Sequence, residues 1–477
     1  MPYLPYRLKS FRIGTPFSAV ALACALAVLI RAPFFYWPIT VDEAAYAYAA
    51  YWWFHGFTLY SQDLWLDRPQ GIFLAYQLGM SLFGDSALSI RLWGALWAAA
   101  TTGTVYFVAK HLFSQRAGIA ASLVFAVFSA ASHIEGFTAN AETFMVLATT
   151  LSAYFLLTRK FLLAGFLASI AVLLKPPGSS IFILALAWLL FQRAAWRGWW
   201  WFLCGAFLPA LLALGHGILT VGFDRYVDSV ALLRFRAGWT SPDNPLLKAA
   251  VSWIRTTPVW LPLFALAIPG VYKTARQTWF FALVWLLSSV LGMTMSGQWF
   301  PHYFTQLMPP LAVCAGAGIE RVWVVGRWWA RSQLVVILLA FFLLFEGPFY
   351  VQPPKEGMWN MFHRRGYQIS EEVSGYINSH TQEDDTIYVA FAQADIYYSS
   401  RRRSSFPYLF IVQVMHLPGV YSQLIDTIQA RKPMYVLALD PPLKQLDPED
   451  RFWRALEKGY EIEETFQGVP LYRRRNE

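Results

Sequence analysis

The chain has 477 residues, of which 57% are hydrophobic and only 14% are charged. Soluble globular domains have about 45–50% apolar and about 25% charged residues, so this composition excludes a soluble enzyme, a disordered chain and a disulfide scaffold. The formal net charge of +9 fits the basic cytoplasmic loops of a membrane protein better than a surface for nucleic acid.

The acidic residues divide the chain into two parts. Of the 29 Asp and Glu residues, 12 lie in the first 350 positions and 17 lie in the last 127. We therefore predict a transmembrane domain over residues 1–350 and a separate polar domain over residues 351–477. The three cysteines, Cys24, Cys204 and Cys314, lie in apolar runs without metal-ligand or disulfide spacing, which is typical of packed core residues.

Apolar runs long enough to cross a membrane recur along the first part. The first is predicted to be an uncleaved anchor rather than a signal peptide, because it is long and ends at Arg31. The fifth and sixth are short and meet at Lys175-Pro-Pro-Gly178, which indicates a broken pair. The eleven predicted spans are 14–33, 88–109, 117–133, 141–157, 161–174, 178–191, 198–221, 256–271, 277–295, 301–318 and 332–349.

Basic residues orient these spans. With a cytoplasmic N-terminus, every predicted inside segment carries Lys or Arg, as the positive-inside rule requires. The C-terminal domain is then extracytoplasmic, and the membrane is predicted to be the cytoplasmic (inner) membrane. The inside segments are 1–13, 110–116, 158–160, 192–197, 272–276 and 319–331.

Two predicted outer segments, about 34–87 and 222–255, are too long to be turns. Both alternate aromatic and charged residues, as segments lying at a membrane surface do. From about residue 366 the pattern changes to alternating helices and strands, which predicts a small three-layer α/β domain without a glycine-rich phosphate loop. Its Arg401-Arg402-Arg403 run is expected to be a solvated turn, or else a contact to lipid headgroups.

Carboxylates near a membrane are candidates for function. Asp42 and Glu43 directly follow the first span, where a carboxylate at an apolar boundary can act as a general base. Capping of the following helix by Asp42 is the structural alternative. Glu142 begins the fourth span next to Asn140, where a helix N-terminus also favours a carboxylate. The three acids are a possible divalent-cation site if they share a cavity.

Cations are predicted on the same outer side. Lys175 interrupts the positive-inside pattern and would suit a phosphate leaving group. Arg68 begins the second surface helix of the first loop, and His302 and Tyr303 begin the tenth span. Arg31 and Arg91 flank the first loop, where snorkelling towards headgroups is the simpler interpretation.

These residues resemble the GT-C superfamily of integral-membrane glycosyltransferases, in the branch of protein O-mannosyltransferases and the lipid A aminoarabinose transferase. The resemblance covers about residues 31–320 and continues weakly beyond. Two positions depart from the family pattern, because Arg68-Pro69-Gln70 replaces the usual basic-Pro-Pro and the second acidic position is Glu142 where relatives often have Asp. The carrying motifs are Asp42-Glu43, Arg68-Pro69-Gln70 with Gly84 and Arg91, Asn140-Ala-Glu142, Lys175-Pro-Pro177, and Pro301-His-Tyr303 with Pro309-Pro310.

The resemblance implies a mainly α, polytopic membrane protein with about 11 transmembrane helices and a small extracytoplasmic α/β domain. It implies transfer of a sugar from a polyprenyl-phosphate donor to an extracytoplasmic glycan, lipid or protein hydroxyl, as in lipopolysaccharide or protein glycosylation. By analogy Asp42, Glu43 and Glu142 are catalytic, and a divalent metal at these three is possible. The implied donor-phosphate contacts are Lys175, Arg68, His302 and Tyr303, and Tyr46, Asn140 and Arg91 are implied to line the same cavity.

Two other classes of protein remain open at this stage. A transporter or lipid flippase also has polar residues among many spans, but usually has repeated halves and charges near the midplane. A non-catalytic assembly protein would need neither Asp42-Glu43 nor Lys175. The sequence contains no internal repeat and its acids gather at one interface, so we favour the glycosyltransferase, with no nucleic-acid partner.

Overall fold

The computed structural model describes residues 16–233, 244–391, 394–440, 444 and 446–475. Its first part is a bundle of helices, the element that satisfies every backbone hydrogen bond within one segment in lipid. The helices are α1 Pro16–Leu29, α2 Val41–Phe54, α3 Gln70–Phe83, α4 Ala87–Leu112, α5 Gln115–Phe128, α6 Ala141–Leu157, α7 Phe161–Leu174, α8 Ile181–Phe191, α9 Trp196–Val221, α10 Phe223–Val227, α11 Pro245–Arg255, α12 Thr257–Val271, α13 Arg276–Thr294, α14 Met308–Val325, α15 Trp328–Ala340 and α16 Gly347–Val351.

Each of the eleven predicted spans coincides with an apolar helix in the described part of the chain. Six helical segments are long and apolar enough to cross a membrane, and α11 with α12 forms a seventh candidate that bends by 73°. The other four, α5, α6, α7 and α8 with its preceding turn, are shorter apolar helices. The chain is therefore a multi-pass membrane protein. The basic segment 1–13 and Asp243 lie outside the described residues.

The predicted break after the fifth span is present. Helix α7 ends at Leu174, and a 3-10 turn over Pro176–Ser180 precedes α8. Proline lacks the N–H that a helix interior needs, which explains the interruption. Lys175 thus lies at the junction, in extended backbone conformation.

Small residues allow α7 and α9 to pack closely. A Cβ at Gly165 would lie 1.9 Å from the Phe202 carbonyl oxygen, and one at Gly205 would lie 2.0 Å from the Leu162 carbonyl oxygen. Any larger residue at either position would push the two backbones apart. Close approach through small residues is a common way for helices to associate in membranes.

The C-terminal part forms a five-stranded mixed sheet with helices, in the order β2-β1-β3-β5-β4. Strand β1 pairs in parallel with β2 and β3, whereas β5 is antiparallel to β3 and β4. The predicted strands are present, and the two-residue β2 is an addition. The elements are α17 Pro354–Phe362, α18 Gly366–His380, β1 Thr386–Val389, α19 Ala394–Ser400, β2 Arg403–Ser404, α20 Ile411–His416, α21 Val420–Gln429, β3 Tyr435–Leu437, α22 Arg451–Gly459, β4 Tyr460–Phe466 and β5 Val469–Arg474.

This α/β part packs on the first loop of the bundle. The Tyr398 hydroxyl donates to Asp85 Oδ1 at 2.5 Å, and Arg401 forms an ion pair with the same carboxylate at 2.6 Å. Arg402 is buried and donates to the Thr381 hydroxyl and carbonyl oxygens at 2.7 and 2.9 Å. The prediction of a solvated 401–403 turn is therefore wrong, because Arg401 joins the α/β part to the bundle and Arg402 is buried within the α/β part. We call this end of the bundle, where α6 begins at Ala141, the domain end.

Candidate active site

A cavity of about 200 Å³ lies at the domain end, between the bundle and the α/β part. Residues of α2, of the turn before α6 and of the 3-10 turn Pro301–Leu307 form its bundle wall. Residues after the last apolar helix form its other wall. The lining residues are Thr40, Val41, Asp42, Arg68, Glu135, Asn140, Phe300, His302 and Tyr303 on one side, and Phe362, Arg364, Tyr367, Phe391, Phe410 and Ile411 on the other.

Asp42 presents its carboxylate to this cavity from the first turn of α2. About a quarter of the side chain is exposed, and Oδ2 lies 3.9 Å from His302 Nε2. The cap of α2 is Thr40, whose hydroxyl accepts from the Glu43 amide at 3.4 Å. The alternative in which Asp42 caps the helix is therefore wrong, and the Asp42 carboxylate is available for chemistry beside His302.

Glu43 points away from the cavity and is fully buried. Its Oε2 accepts from the Thr40 amide and hydroxyl, both at 2.9 Å, and from Arg91 Nη2 at 2.7 Å. Its Oε1 accepts from the Ala139 amide at 2.7 Å and lies 2.5 Å from Arg91 Nε. A carboxylate surrounded by donors in this way holds α2, α4 and the turn before α6 together.

The arginines that flank the first loop are internal. Arg91 also donates to the carbonyl oxygens of Phe34 and Pro38, both at 3.1 Å, and does not line the cavity. Arg31 is 2% exposed and donates to the carbonyl oxygens of Ser129 and Gly136. Snorkelling is therefore wrong for both arginines, because each is held by partners inside the protein.

Glu142 and Lys175 form a buried ion pair beneath the cavity. The Lys175 ammonium also lies 4.5 Å from the centroid of the Tyr303 ring, a cation–π arrangement. His302 Nε2 is 4.0 Å from Glu142 Oε1. Lys175 thus presents no unpaired cation to a phosphate, in contrast to its predicted role, and neither member of the pair lines the cavity.

Glu135 orients His302. Its Oε2 lies 2.8 Å from His302 Nδ1, which fixes the ring so that Nε2 faces Asp42 and Glu142. Glu135 has a left-handed backbone with φ of 53°, which is uncommon for a residue other than glycine. Glu135 was not predicted as a site residue, because its pairing with His302 spans 167 residues and leaves no local pattern in the sequence.

Two guanidinium groups line the cavity, that of Arg364 in the wall beyond the last apolar helix and that of Arg68 in the bundle wall. Arg68 Nη1 pairs with Asp67 Oδ1 at 3.0 Å, and the Arg68 guanidinium carbon lies 5.9 Å from the centroid of the buried Tyr46 ring. Among the described atoms, Arg68 Nε and Asn140 Oδ1 are buried without a hydrogen-bond partner. A buried donor and a buried acceptor beside one cavity are suited to a polar ligand, since leaving them unpaired costs about 1–3 kcal/mol each.

The three predicted acids do not form a metal site. Within the described residues, no group of three or more His, Cys, Asp or Glu side chains has an arrangement suited to a metal ion. Glu43 is committed to Arg91, and Glu142 is paired with Lys175. Only Asp42 of the three faces the cavity. Asp42 and Glu142 nevertheless lie on the same ring nitrogen of His302, at 3.9 and 4.0 Å, so of the three acids only Glu43 is separated from the others by its pairing with Arg91.

An apolar groove of about 510 Å³ begins two residues beyond Arg68. Its walls come from α2, α3, α4, α7 and α9, and its polar members are Gln70 and His216. The Gln70 amide donates to the Ala213 carbonyl oxygen at 3.0 Å, and Gln70 Oε1 accepts from the Tyr226 hydroxyl at 2.8 Å. The groove is suited to a long hydrocarbon chain.

Known proteins share parts of this sequence and this fold. Residues 67–218 match the profile of the family described as dolichyl-phosphate-mannose-protein mannosyltransferase. No curated protein matches the chain by sequence.

Solved structures match nearly the whole chain. ArnT from Cupriavidus metallidurans bound to undecaprenyl phosphate superposes with a TM-score of 0.64 and 13% identity, over 96% of this chain and 97% of that one. The Archaeoglobus fulgidus oligosaccharyltransferase tethered to an acceptor peptide gives a TM-score of 0.59 and 11% identity, over 98% and 74% of the two chains. AglB from the same archaeon, in complex with an inhibitory peptide and a dolichol-phosphate, gives a TM-score of 0.53 and 12% identity, over 88% of this chain and 69% of that one.

The family match over residues 67–218 and the shared fold both agree with a membrane glycosyltransferase. The resemblance of the sequence to the GT-C glycosyltransferases is thereby confirmed, by the match over residues 67–218 and by a fold shared over almost the entire chain.

Proposed function

We propose that the protein transfers a hexosyl or pentosyl group from a polyprenyl phosphate to a hydroxyl of an extracytoplasmic glycan, lipid or protein. Residues 1–350 are the catalytic unit, and the α/β domain over 351–477 closes one wall of its cavity. The domain end faces outwards from the cytoplasmic membrane, because basic residues such as Lys110, Arg193 and Lys273 lie at or just beyond helix ends on the opposite side.

One observation carries the proposal. A single cavity holds a carboxylate, Asp42, and a guanidinium, Arg68, and a groove for hydrocarbon begins two residues beyond that guanidinium. Glycosyl transfer from a lipid phosphate needs these three features together: a base for the acceptor, a cation for the phosphate and a site for the lipid.

The reaction is a single displacement. Asp42 takes the proton of the acceptor hydroxyl while its oxygen bonds to the anomeric carbon. The bond from that carbon to the phosphate oxygen breaks, and the polyprenyl phosphate leaves with the bonding electrons. Arg68 stabilises the charge that develops on the departing phosphate. It replaces Lys175 as the principal cation, because Arg68 lines the cavity whereas Lys175 lies beneath it in its pair with Glu142.

Neighbouring residues support these two groups. His302, oriented by Glu135, lies 3.9 Å from Asp42 and shares the transferred proton or orients the carboxylate. Asn140 Oδ1 accepts from a sugar or acceptor hydroxyl. The Lys175–Glu142 pair and Tyr303 form the floor beneath, and Glu43 with Arg91 positions the start of α2.

The molecules bound in the solved relatives are of the same kinds as the donor and acceptor proposed for this chain. ArnT was solved with undecaprenyl phosphate, and the archaeal oligosaccharyltransferase with an acceptor peptide. A long isoprenoid on a phosphate fits the groove and Arg68 of this chain. Because the cavity faces outwards, the acceptor lies on the outer side of the membrane. The proposed acceptors therefore include glycan, lipid and protein hydroxyls.

The test uses purified protein in proteoliposomes with radiolabelled polyprenyl-phosphate hexoses and pentoses. Release or transfer of sugar is expected with one donor class, and Asp42→Asn should lower turnover roughly 10²–10⁴-fold while donor binding persists. The matched control is Asp63→Asn, which changes an exposed carboxylate of the same loop and should leave turnover unchanged. Movement of intact donor across the bilayer without cleavage would instead identify a flippase.

A further inference from the structure

A second large cavity lies at the opposite end of the bundle, which we call the distal end and define by the end of α4 at Leu112 and the start of α9 at Trp196. Its volume is about 620 Å³. Helix α4 connects the two regions, since it carries Arg91 near the active site and His111 at this cavity. Twenty residues of helix separate the two sites by about 30 Å.

The distal cavity is lined by cations and amides. Arg159 and Arg193 both line it, with Gln192 between them, and Arg159 Nη2 donates to Gln192 Oε1 at 3.4 Å. All of its lining residues are described, and no Asp or Glu is among them. The cavity therefore has a positive potential without a carboxylate to neutralise it.

Three helices begin around this cavity. They are α7, α9 and α13, and their first-turn residues Phe161, Gly198 and Thr278 are in its lining. None of the three has a side-chain hydrogen bond at its N-cap. First-turn N–H groups favour an anion, although that of Gly198 already donates to the Ala195 carbonyl oxygen at 2.7 Å. Helices α4, α6 and α8 end at the same cavity and their dipoles oppose those of the three starting helices, so Arg159 and Arg193 set its charge.

The backbone at the two arginines adds an independent observation. Arg159 has φ of 58° and Arg193 has φ of 47°, in the left-handed region that favours glycine. Both residues terminate helices, and the amide after each one bonds back to a carbonyl five residues earlier, at 2.9 and 3.0 Å. Glycine is the residue that such helix ends favour. The guanidinium groups thus occupy two positions where the backbone alone would favour another residue.

Exposed tryptophans identify the level of the cavity in the membrane. Trp196, Trp200 and Trp201 at the start of α9 are 69%, 55% and 51% exposed. Tryptophan accumulates where hydrocarbon meets the headgroups, so the cavity opens at headgroup level. A phosphate there is more readily supplied by a lipid than by a soluble ion.

We propose that the distal cavity binds the phosphate of an anionic membrane phospholipid between Arg159 and Arg193. Guanidinium groups bind phosphate through paired hydrogen bonds, and the uncapped N–H groups supply further donors. This lipid site is separate from the donor site and does not depend on the proposed glycosyl transfer.

The test compares thermal unfolding of the purified full chain in a neutral detergent. Phosphatidylglycerol, phosphatidylcholine and inorganic phosphate are titrated separately. The wild type should gain a higher midpoint with phosphatidylglycerol only. The R159G/R193G variant should unfold no earlier than wild type without lipid, because glycine relaxes both helix ends, yet its apparent affinity for the lipid should fall at least about tenfold.

A matched control removes as much charge elsewhere at the distal end. Lys273 also has a left-handed backbone, with φ of 53°, and Arg116 is exposed, and neither lines the cavity. K273G/R116Q should keep the full lipid response. The proposal is overturned if the wild type gains nothing, if the arginine variant keeps its response, if the control loses its response, or if inorganic phosphate acts equally well. If R159G/R193G does not fold, R159Q/R193Q measured by native mass spectrometry gives the same comparison of bound lipid.

Discussion

The adjacent carboxylates Asp42 and Glu43 are expected to respond to substitution in opposite ways. Glu43→Ala removes the carboxylate that pairs with Arg91, and among the described residues the buried guanidinium keeps the carbonyl oxygens of Phe34 and Pro38. Breaking a buried ion pair from one side costs about 3–5 kcal/mol. Loss of the bonds to Thr40 and Ala139 adds to this, so the unfolding free energy should fall by at least that amount.

Asp42→Asn should leave stability within about 1 kcal/mol of wild type, because its carboxylate is partly exposed and its 3.9 Å contact with His302 is long. Thermal unfolding in one detergent and lipid mixture measures both variants, and turnover is normalised to folded protein. In a double-mutant cycle, Glu43→Leu with Arg91→Met should cost less than the sum of the single changes.

A stable Glu43→Ala protein without turnover would refute this reasoning. It would mean that Glu43 acts in the chemistry and that its bonds to Arg91 contribute little to the fold. A strongly destabilised Asp42→Asn protein would equally contradict the separation of roles.

Three further outcomes are expected. Burial raises the pKa of the Asp395 carboxyl to about 7, so the folded state holds this proton more tightly than the unfolded state does. The free energy of unfolding should therefore fall by on the order of 4 kcal/mol as pH rises from about 4 to about 7. Asp395→Asn should remove this loss, which unfolding measurements at a series of pH values can test. Leu74→Trp should fill the apolar groove and raise the KM for donor roughly tenfold, a change of about 1.4 kcal/mol in binding, whereas Leu82→Trp, on the same helix outside the groove, should not. In a chain without its three native cysteines, Ser422→Cys should react with an impermeant reagent from outside the cell and Arg327→Cys should not; the reverse would overturn the proposed orientation.

Much of the fold could be predicted from the sequence, because a membrane restricts the backbone to helices and hydropathy marks each one. The break at Pro176-Pro177 and the strands of the α/β part followed from local residue chemistry in the same way. The short strand β2 was missed, since two residues between loops carry no alternation of apolar and polar positions.

The candidate site was predicted less completely, because side-chain pairing over long sequence distances leaves no local pattern. Arg91 and Glu43 are 48 residues apart, and Glu135 and His302 are 167 apart. A lone arginine beside a span therefore resembled a snorkelling residue, and Lys175 resembled an unpaired cation. Motif resemblance selected segments that meet at or beside one cavity, but it could not assign which carboxylate faces that cavity.

The central claim is that Asp42 and Arg68 act on a donor whose lipid lies in the adjoining groove. A structure of the protein with a polyprenyl phosphate bound tests it most directly. We expect the phosphate oxygens within about 3 Å of the Arg68 guanidinium and the isoprenoid chain along Leu74 and Leu208 in the groove. A phosphate bound away from Arg68, with the groove filled by its own side chains, would contradict the account.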